Sequence, residues 1–272
     1  MIKKNGLTAK KKLGQHFLVD SFVLEKIVAG AEITSGDLVV EIGPGLGAMT
    51  QALAKRAGQV IAVELDKTLV PLLEEIFGGM PVTIVRGDIL KVDLHTLIAP
   101  YSHMNIKAVA NLPYYITTPV IFNLLESKIP FVTITVMVQK EVASRMAALP
   151  GTKEYGALSL AIQYYADVSL VANVPVNCFM PRPAVDSAVV TCRLLKEPRV
   201  AADKEVLFKV IKAAFGKRRK TLINCLEGFG LTKAELAECL KKVGVDPTAR
   251  GETLDIHKFG MIAEVFTCLH SH

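Results

Sequence analysis

Short runs of valine and isoleucine recur through the first half of the chain. Val39 to Ile42, Val60 to Val63, Val82 to Val85, Ile106 to Ala110 and Phe131 to Val138 are apolar at almost every position. Runs of this kind predict strands of a parallel sheet covered on both faces, not half-exposed antiparallel strands. Between them lie segments with helical spacing, near residues 21–31, 48–57, 67–77, 118–127 and 139–148. The alternation of strand and helix predicts an α/β architecture. Two later segments, Ser169 to Val174 and Ser187 to Leu195, read as strands that complete the sheet in antiparallel fashion, with Phe179 to Pro183 in the loop between them.

After Leu195 the strand signals cease. Lys196-Glu197-Pro198-Arg199 reads as a linker, and a small all-helical domain is expected over 200–272. Leu207, Ile211, Ala214 and Phe215 mark one helix face. Thr232 and Glu235 have capping-box spacing, with Leu231 and Leu236 placed as a hydrophobic staple. Asp255 is expected to cap a last helix whose apolar face carries Ile256, Phe259, Ile262 and Phe266. Among these helices sits Lys217-Arg218-Arg219-Lys220, expected at a helix start, where the dipole disfavours cations unless an anion sits opposite. RNA phosphate is the natural candidate, and a solvated charged face is the plain alternative.

Composition narrows the picture modestly. The chain has 272 residues, 51% of them hydrophobic, and a formal charge of +6, which favours a polyanionic partner. Its five cysteines (178, 192, 225, 239, 268) are odd in number and form no Cys-x-x-Cys pair. That argues against a disulfide framework and against a metal site, and fits a reducing cytoplasm. Lys3, Lys4, Lys10, Lys11 and Lys12 precede no apolar stretch, so neither a secretory signal nor a membrane anchor is expected, and the lysines read as a mobile basic arm.

The chemistry concentrates at strand ends. Val39-Val40-Glu41-Ile42 runs into Gly43-Pro44-Gly45-Leu46-Gly47 and then a helical pattern, a strand, glycine turn and helix in succession. The next strand ends at Glu64, where a carboxylate can accept hydrogen bonds from ribose hydroxyls, and the third delivers Asp88 to the same rim. Gly43-x-Gly45-x-x-Ala48 satisfies a relaxed dinucleotide pattern, so nicotinamide binding has to be weighed. Against it, the acid two residues before the first glycine and the third glycine at 47 resemble the Glu-x-Gly-x-Gly-x-Gly signature of methyltransferases that use S-adenosylmethionine. Downstream, Ile106 to Ala110 leads into Asn111-Leu112-Pro113-Tyr114, an amide, a proline-stiffened turn and an aromatic ring suited to hold a flat base with an exocyclic amine.

Four motifs together resemble one family. Leu13-Gly14-Gln15-His16-Phe17-Leu18, the glycine turn, Asn-Leu-Pro-Tyr, and Phe179-Met180-Pro181-Arg182-Pro183-Ala184-Val185-Asp186-Ser187 stand in the order of the small-subunit ribosomal RNA adenine dimethyltransferases of the KsgA/RsmA type. The similarity runs from about Lys10 to Phe266. It implies a Rossmann-like class I methyltransferase fold, with a mostly parallel seven-stranded sheet, helices on both faces and a small helical C-terminal domain. It also implies an S-adenosylmethionine-binding catalytic domain over 1–195, whose first 20 residues are a flexible basic segment and a cofactor-closing motif, and an RNA- or ribosome-binding domain over 200–272. The implied activity is N6,N6-dimethylation of two adjacent adenosines in the 3'-terminal hairpin loop of small-subunit (16S) ribosomal RNA, within an immature 30S particle; apart from the resemblance, a monomer is the default expectation.

The resemblance assigns roles residue by residue. Asn111 and the carbonyl of Leu112 would accept the two amino hydrogens of the target adenine, Pro113 would set that carbonyl's direction, and Tyr114 and Phe179 would stack on the base. Gly43 and Gly45 would admit the methionine part of S-adenosylmethionine, Glu64 its ribose, and Asp88 its adenine amino group. His16 and Leu18 would close over it, with histidine standing where the commonest form of the family has asparagine. Lys217, Arg218, Arg219 and Lys220 would meet RNA phosphates. Two neighbouring functions share the scaffold: a large-subunit macrolide-resistance methyltransferase, which usually shows Asn-Ile-Pro-Tyr or Asn-Ile-Pro-Phe, and a non-catalytic ribosome-assembly or nucleic-acid-binding factor. A nicotinamide oxidoreductase lacks a candidate hydride-site residue.

Overall fold

A computed structural model describes residues 14–217 and 219–270. The expected basic arm (Lys3, Lys4, Lys10, Lys11, Lys12), Leu13 and Arg218 lie outside the described residues. Among the described residues nine strands follow in chain order: β1 (Phe17–Leu18), β2 (Asp37–Ile42), β3 (Gln59–Glu64), β4 (Val82–Arg86), β5 (Asn105–Asn111), β6 (Phe131–Gln139), β7 (Ala166–Val174), β8 (Phe179–Met180) and β9 (Ser187–Leu194). Seven of them form one sheet in the order β4-β3-β2-β5-β6-β9-β7. The pairs from β4 through β6 are parallel, and β9 runs antiparallel to β6. The strand order reverses between β2 and β5, and in open α/β sheets the crevice beyond the carboxyl ends at such a reversal is where ligands bind.

The apolar runs are buried because the sheet is covered. Every residue of β2 is buried, as are Ile106 to Ala110 of β5. On one face Val39, Val60, Ala62, Val109, Met137 and Val189 form a single core with Val23, Ile27 and Leu53, from the helices Ser21–Gly30 and Ala48–Ala54. The first of these helices is capped by Asp20, whose carboxylate accepts from the amides of Phe22 (2.9 Å) and Val23 (3.1 Å), a cap worth about 1 kcal/mol. Towards the amino ends of the same two strands, β2 and β5, the buried Lys107 ammonium lies 3.0 Å from the buried Asp37 carboxylate. Burial pushes the Asp37 carboxyl up, but hydrogen bonds from Lys107 and Thr34 outweigh it and hold the group below its ordinary value.

Contacts divide the chain into two units, one comprising the residues up to Ala143 with Ser169–Leu194, the other Ser144–Val168 with Leu195 onward. This differs from a single break after residue 195. Tyr155, Leu160 and Tyr164 are buried with Leu207, Val210 and Ile211 of the helix Lys204–Gly216, so the segment preceding β7 joins the helical unit through its apolar side chains. Within that unit Leu236 and Leu240 of the helix Lys233–Lys242 and Phe259, Ile262 and Phe266 of the helix Ile256–His270 complete the core. The Thr232–Glu235 capping box forms in both directions, and Asp255 accepts from the amide of Lys258 at 2.9 Å. Among the described residues no helix is long and apolar enough to cross a membrane.

Candidate active site

A cavity of about 440 Å³ opens beyond the carboxyl ends of β2, β3 and β5. It is lined by the glycine turn, Glu64, Asp88, Asn111 to Tyr115, Phe179 and the N-terminal segment Gly14 to Val19, and its volume falls within the range of small-molecule sites. The amide of Gly43 donates to the carbonyl of Val63 at 3.0 Å, tying the turn to the end of β3. Two glycines are demanded by geometry. Gly45 has φ +58°, and a Cβ there would stand 3.0 Å from the Phe17 ring; Gly47 has φ +82°, and its Cβ would meet the Phe77 ring at 2.7 Å. Any side chain at either position would strain the backbone and push an aromatic ring into the cavity or the core.

The acids divide by environment. Glu64 is buried, and its two oxygens accept from the amides of Gly45 (3.0 Å) and Asp66 (2.7 Å), which braces the glycine turn. Burial nevertheless raises its pKa above the ordinary carboxylate value. Each oxygen keeps lone-pair capacity for a hydroxyl at the rim. Asp88 is half-buried and accepts from the amide of Leu90 at 3.1 Å through one oxygen. Glu41, behind the glycine turn, is fully buried with neither oxygen hydrogen-bonded, and burial lifts its pKa to about 8. The Thr50 hydroxyl offsets a little of that rise, and the charge of Glu64 adds to it.

Asn111 ends β5 and is half-buried; its amide nitrogen donates to the carbonyl of His16 at 3.2 Å. That bond commits the nitrogen and leaves the side-chain oxygen as the acceptor. The following turn closes on the carbonyl of Pro113, which accepts from the Ile116 amide (3.1 Å) and the Thr117 hydroxyl (3.2 Å). The Leu112 carbonyl stands outside that bonding. The Tyr114 hydroxyl meets the hydroxyl of the fully buried Ser187 at 2.8 Å, and burial pushes its pKa up. One face of its ring is stacked on His16, with centroids 6.0 Å apart and planes 23° from parallel, so a target base would use the other face.

Phe179 does not sit in a loop. Phe179 and Met180 form β8, an antiparallel ladder with β1 in which Leu18 opposes Phe179 and Phe17 opposes Met180. Phe179 is only 4% exposed and packs with Leu18, Cys178 and Val189, yet it also lines the cavity, so its ring is both core and wall. The ladder closes the cavity with the N-terminal motif, and the His16 ring nitrogen Nδ1 donates to the carbonyl of Pro181 at 2.9 Å. The bond fixes the tautomer: in a neutral ring, Nε2 is the bare nitrogen.

Sequence reasoning missed Ser187 as a partner of the acceptor motif, although it is the last residue of a run singled out there. The cationic tetrad also needs correction. Lys217 is the C-cap of the helix Lys204–Gly216, and Lys217, Arg219 and Lys220 are exposed in the turns before the four-residue helix Leu222–Cys225. At a helix carboxyl end the dipole favours cations, so no electrostatic cost demands an anion there.

S-adenosylmethionine fits these residues on structural grounds: the left-handed glycines make a cradle that a Cβ would fill, and the carboxyls of Glu64 and Asp88 line the same cavity. The comparisons agree with that chemistry. The family model described as ribosomal RNA adenine dimethylase matches residues 6–267. A ribosomal RNA small subunit methyltransferase A from Lachnoclostridium phytofermentans is 52% identical over 94% of this chain and 91% of its own, and one from Alkaliphilus oremlandii is 47% identical over 97% and 93%. A dimethyladenosine transferase from Plasmodium falciparum superposes with a TM-score of 0.81 at 25% identity, covering 93% of this chain and 98% of its own. The 23S rRNA methyltransferase ErmE superposes at 0.71 with 25% identity, covering 92% and 99%. With a match over nearly its whole length and relatives about half identical, the chain belongs to the ribosomal RNA adenine dimethylase family.

Proposed function

We propose that the protein acts on the small-subunit ribosomal RNA of an immature subunit in the cytoplasm, as a monomer, dimethylating N6 of two adjacent adenosines in the 3'-terminal hairpin loop. The enzyme class itself follows from the family: an S-adenosylmethionine-dependent ribosomal RNA adenine dimethyltransferase. The choice of the small subunit is supported by the names of the relatives near 50% identity, whereas the large-subunit enzyme is similar at 25%.

One observation carries the mechanism: Asn111 lines the cavity and its amide nitrogen donates to the His16 carbonyl, which leaves its oxygen to act as an acceptor. The N6 lone pair of adenine is delocalised into the ring, which makes the amine a poor nucleophile. Acceptance of its two hydrogens by the Asn111 oxygen and the Leu112 carbonyl turns that lone pair out of the ring plane. A donor held by the glycine turn, Glu64 and Asp88 would supply an electrophilic methyl carbon and would leave as a neutral thioether, the S–CH3 bonding pair returning to sulfur. Tyr114, clamped by Ser187 and His16, presents its free ring face to the base, and stacking of this kind is worth about 1–3 kcal/mol. As the new N–C bond forms, the nitrogen becomes acidic and one hydrogen leaves through the Asn111 oxygen or water. Positioning of this kind supplies several kcal/mol without a strong base. The aromatic wall serves a first and a second methylation alike, whereas the second engages a single acceptor, because a monomethylated amine offers one hydrogen.

The test is methyl transfer from labelled S-adenosylmethionine to immature small subunits and, separately, to large subunits. Label on small-subunit adenines, lost with Asn111→Ala, is the expected result. Label on large subunits alone would move the assignment to the resistance enzymes, and donor binding without any transfer would favour an assembly factor.

A further inference from the structure

We propose that His16 is a positioning residue for the acceptor corner, acting through Asn111 and Tyr114 in addition to any role as a cover over the donor. The inference rests on the reading above and deepens it. Three contacts converge on this residue. Its ring Nδ1 donates to the carbonyl of Pro181 at 2.9 Å, its ring face stacks on Tyr114, and its own carbonyl accepts from the Asn111 amide at 3.2 Å. Through them a single residue ties together the N-terminal motif, the Asn-Leu-Pro-Tyr turn and the Phe179 motif.

The consequence is mechanical. A side chain held at its ring edge and its ring face cannot swing, so the backbone carbonyl that follows it is held in place. That carbonyl decides which way the Asn111 amide points. If the amide turned over, its nitrogen would face the cavity, and a donor would meet the donor hydrogens of the target amine. The same ring fills one face of Tyr114 while Ser187 holds the hydroxyl, leaving a single face for the base. His16 therefore sets both acceptor orientation and stacking plane without touching the reacting nitrogen.

The experiment compares His16→Ala, His16→Phe and His16→Leu in the whole chain. Thermal melting checks the fold, calorimetry gives the dissociation constant for S-adenosylmethionine, and turnover is scored on whichever ribosomal RNA the unmodified protein labels. An error in the subunit assignment therefore leaves the comparison intact. His16→Ala is expected to lose about tenfold or more in turnover while donor affinity changes less than about threefold, since small misplacements at a reacting corner cost up to about a hundredfold. His16→Phe keeps a ring against Tyr114 and should recover most of the loss. Should the alanine variant fail to fold, His16→Leu, which keeps neither the ring nor a donor for Pro181, is read in its place. Equal losses of donor affinity and turnover, unchanged turnover, or a phenylalanine variant no better than alanine would each overturn the proposal.

Discussion

Glu41 makes the free protein's stability depend on pH in a direction opposite to that of most carboxylates. The side chain is fully buried, neither oxygen has a hydrogen bond, and burial lifts its pKa from 4.5 to about 8. The unfolded chain releases this proton above its ordinary pKa, whereas the folded chain keeps it until the pH reaches the raised value. The stabilising contribution is complete below the unfolded pKa and is lost as the pH rises towards 8. At about 1.36 kcal/mol per pH unit the whole shift corresponds to roughly 5 kcal/mol, an upper bound for a site that relaxes or admits water. Glu41→Gln removes the titration and keeps the shape. The amide brings hydrogens without partners at a cost of about 1–3 kcal/mol, but that cost is independent of pH. Urea unfolding of the donor-free protein at about pH 5 and about pH 8 therefore isolates the effect as a double difference between the two proteins. The expected result is that the unmodified protein loses several kcal/mol more than the variant across this range. Parallel pH dependence in the two proteins would refute the reasoning, because it would mean that Glu41 is ionised in the fold.

Three further outcomes are expected. Phe179→Ala should cut turnover far more than S-adenosylmethionine affinity in single-turnover and calorimetric assays, and equal losses would mean that the ring is only core. Lys107→Met should destabilise the protein by about 3–5 kcal/mol in urea, because it leaves the buried Asp37 carboxylate uncompensated; the loss should shrink as falling pH protonates Asp37. Replacement of Lys217, Arg219 and Lys220 by serine should reduce the slope of log affinity for ribosomal RNA against log salt by about 0.7–0.9 for each phosphate these cations neutralise, and an unchanged slope would make them a solvated surface.

The main sheet was legible in the sequence because a strand buried on both faces leaves an uninterrupted apolar run. β2, β3, β5 and β6 lie within two residues of the runs that announced them. The order of the strands was not legible, since no local pattern records which neighbour a parallel strand takes. Nor was the β1–β8 ladder: two residues per strand give no period, and Phe179 reads as core or loop with equal ease. The tetrad was misplaced for a local reason. Gly216 is a helix stop as well as a spacer, and when it is read as a stop Lys217 falls at the favourable carboxyl end instead of a start. The segment around Tyr155 and Tyr164 changed units because its partners are apolar residues more than forty positions away, which spacing alone cannot reveal.

The β1–β8 ladder has a consequence for how the protein comes into being. The partners His16 and Pro181 are 165 positions apart, so the earliest part of the site to be synthesised waits for one of the last parts of its own unit. A nascent polypeptide can lay down its glycine turn and its Asn-Leu-Pro-Tyr corner long before the carbonyl that anchors His16 exists. Competence for catalysis is thus deferred until late in translation.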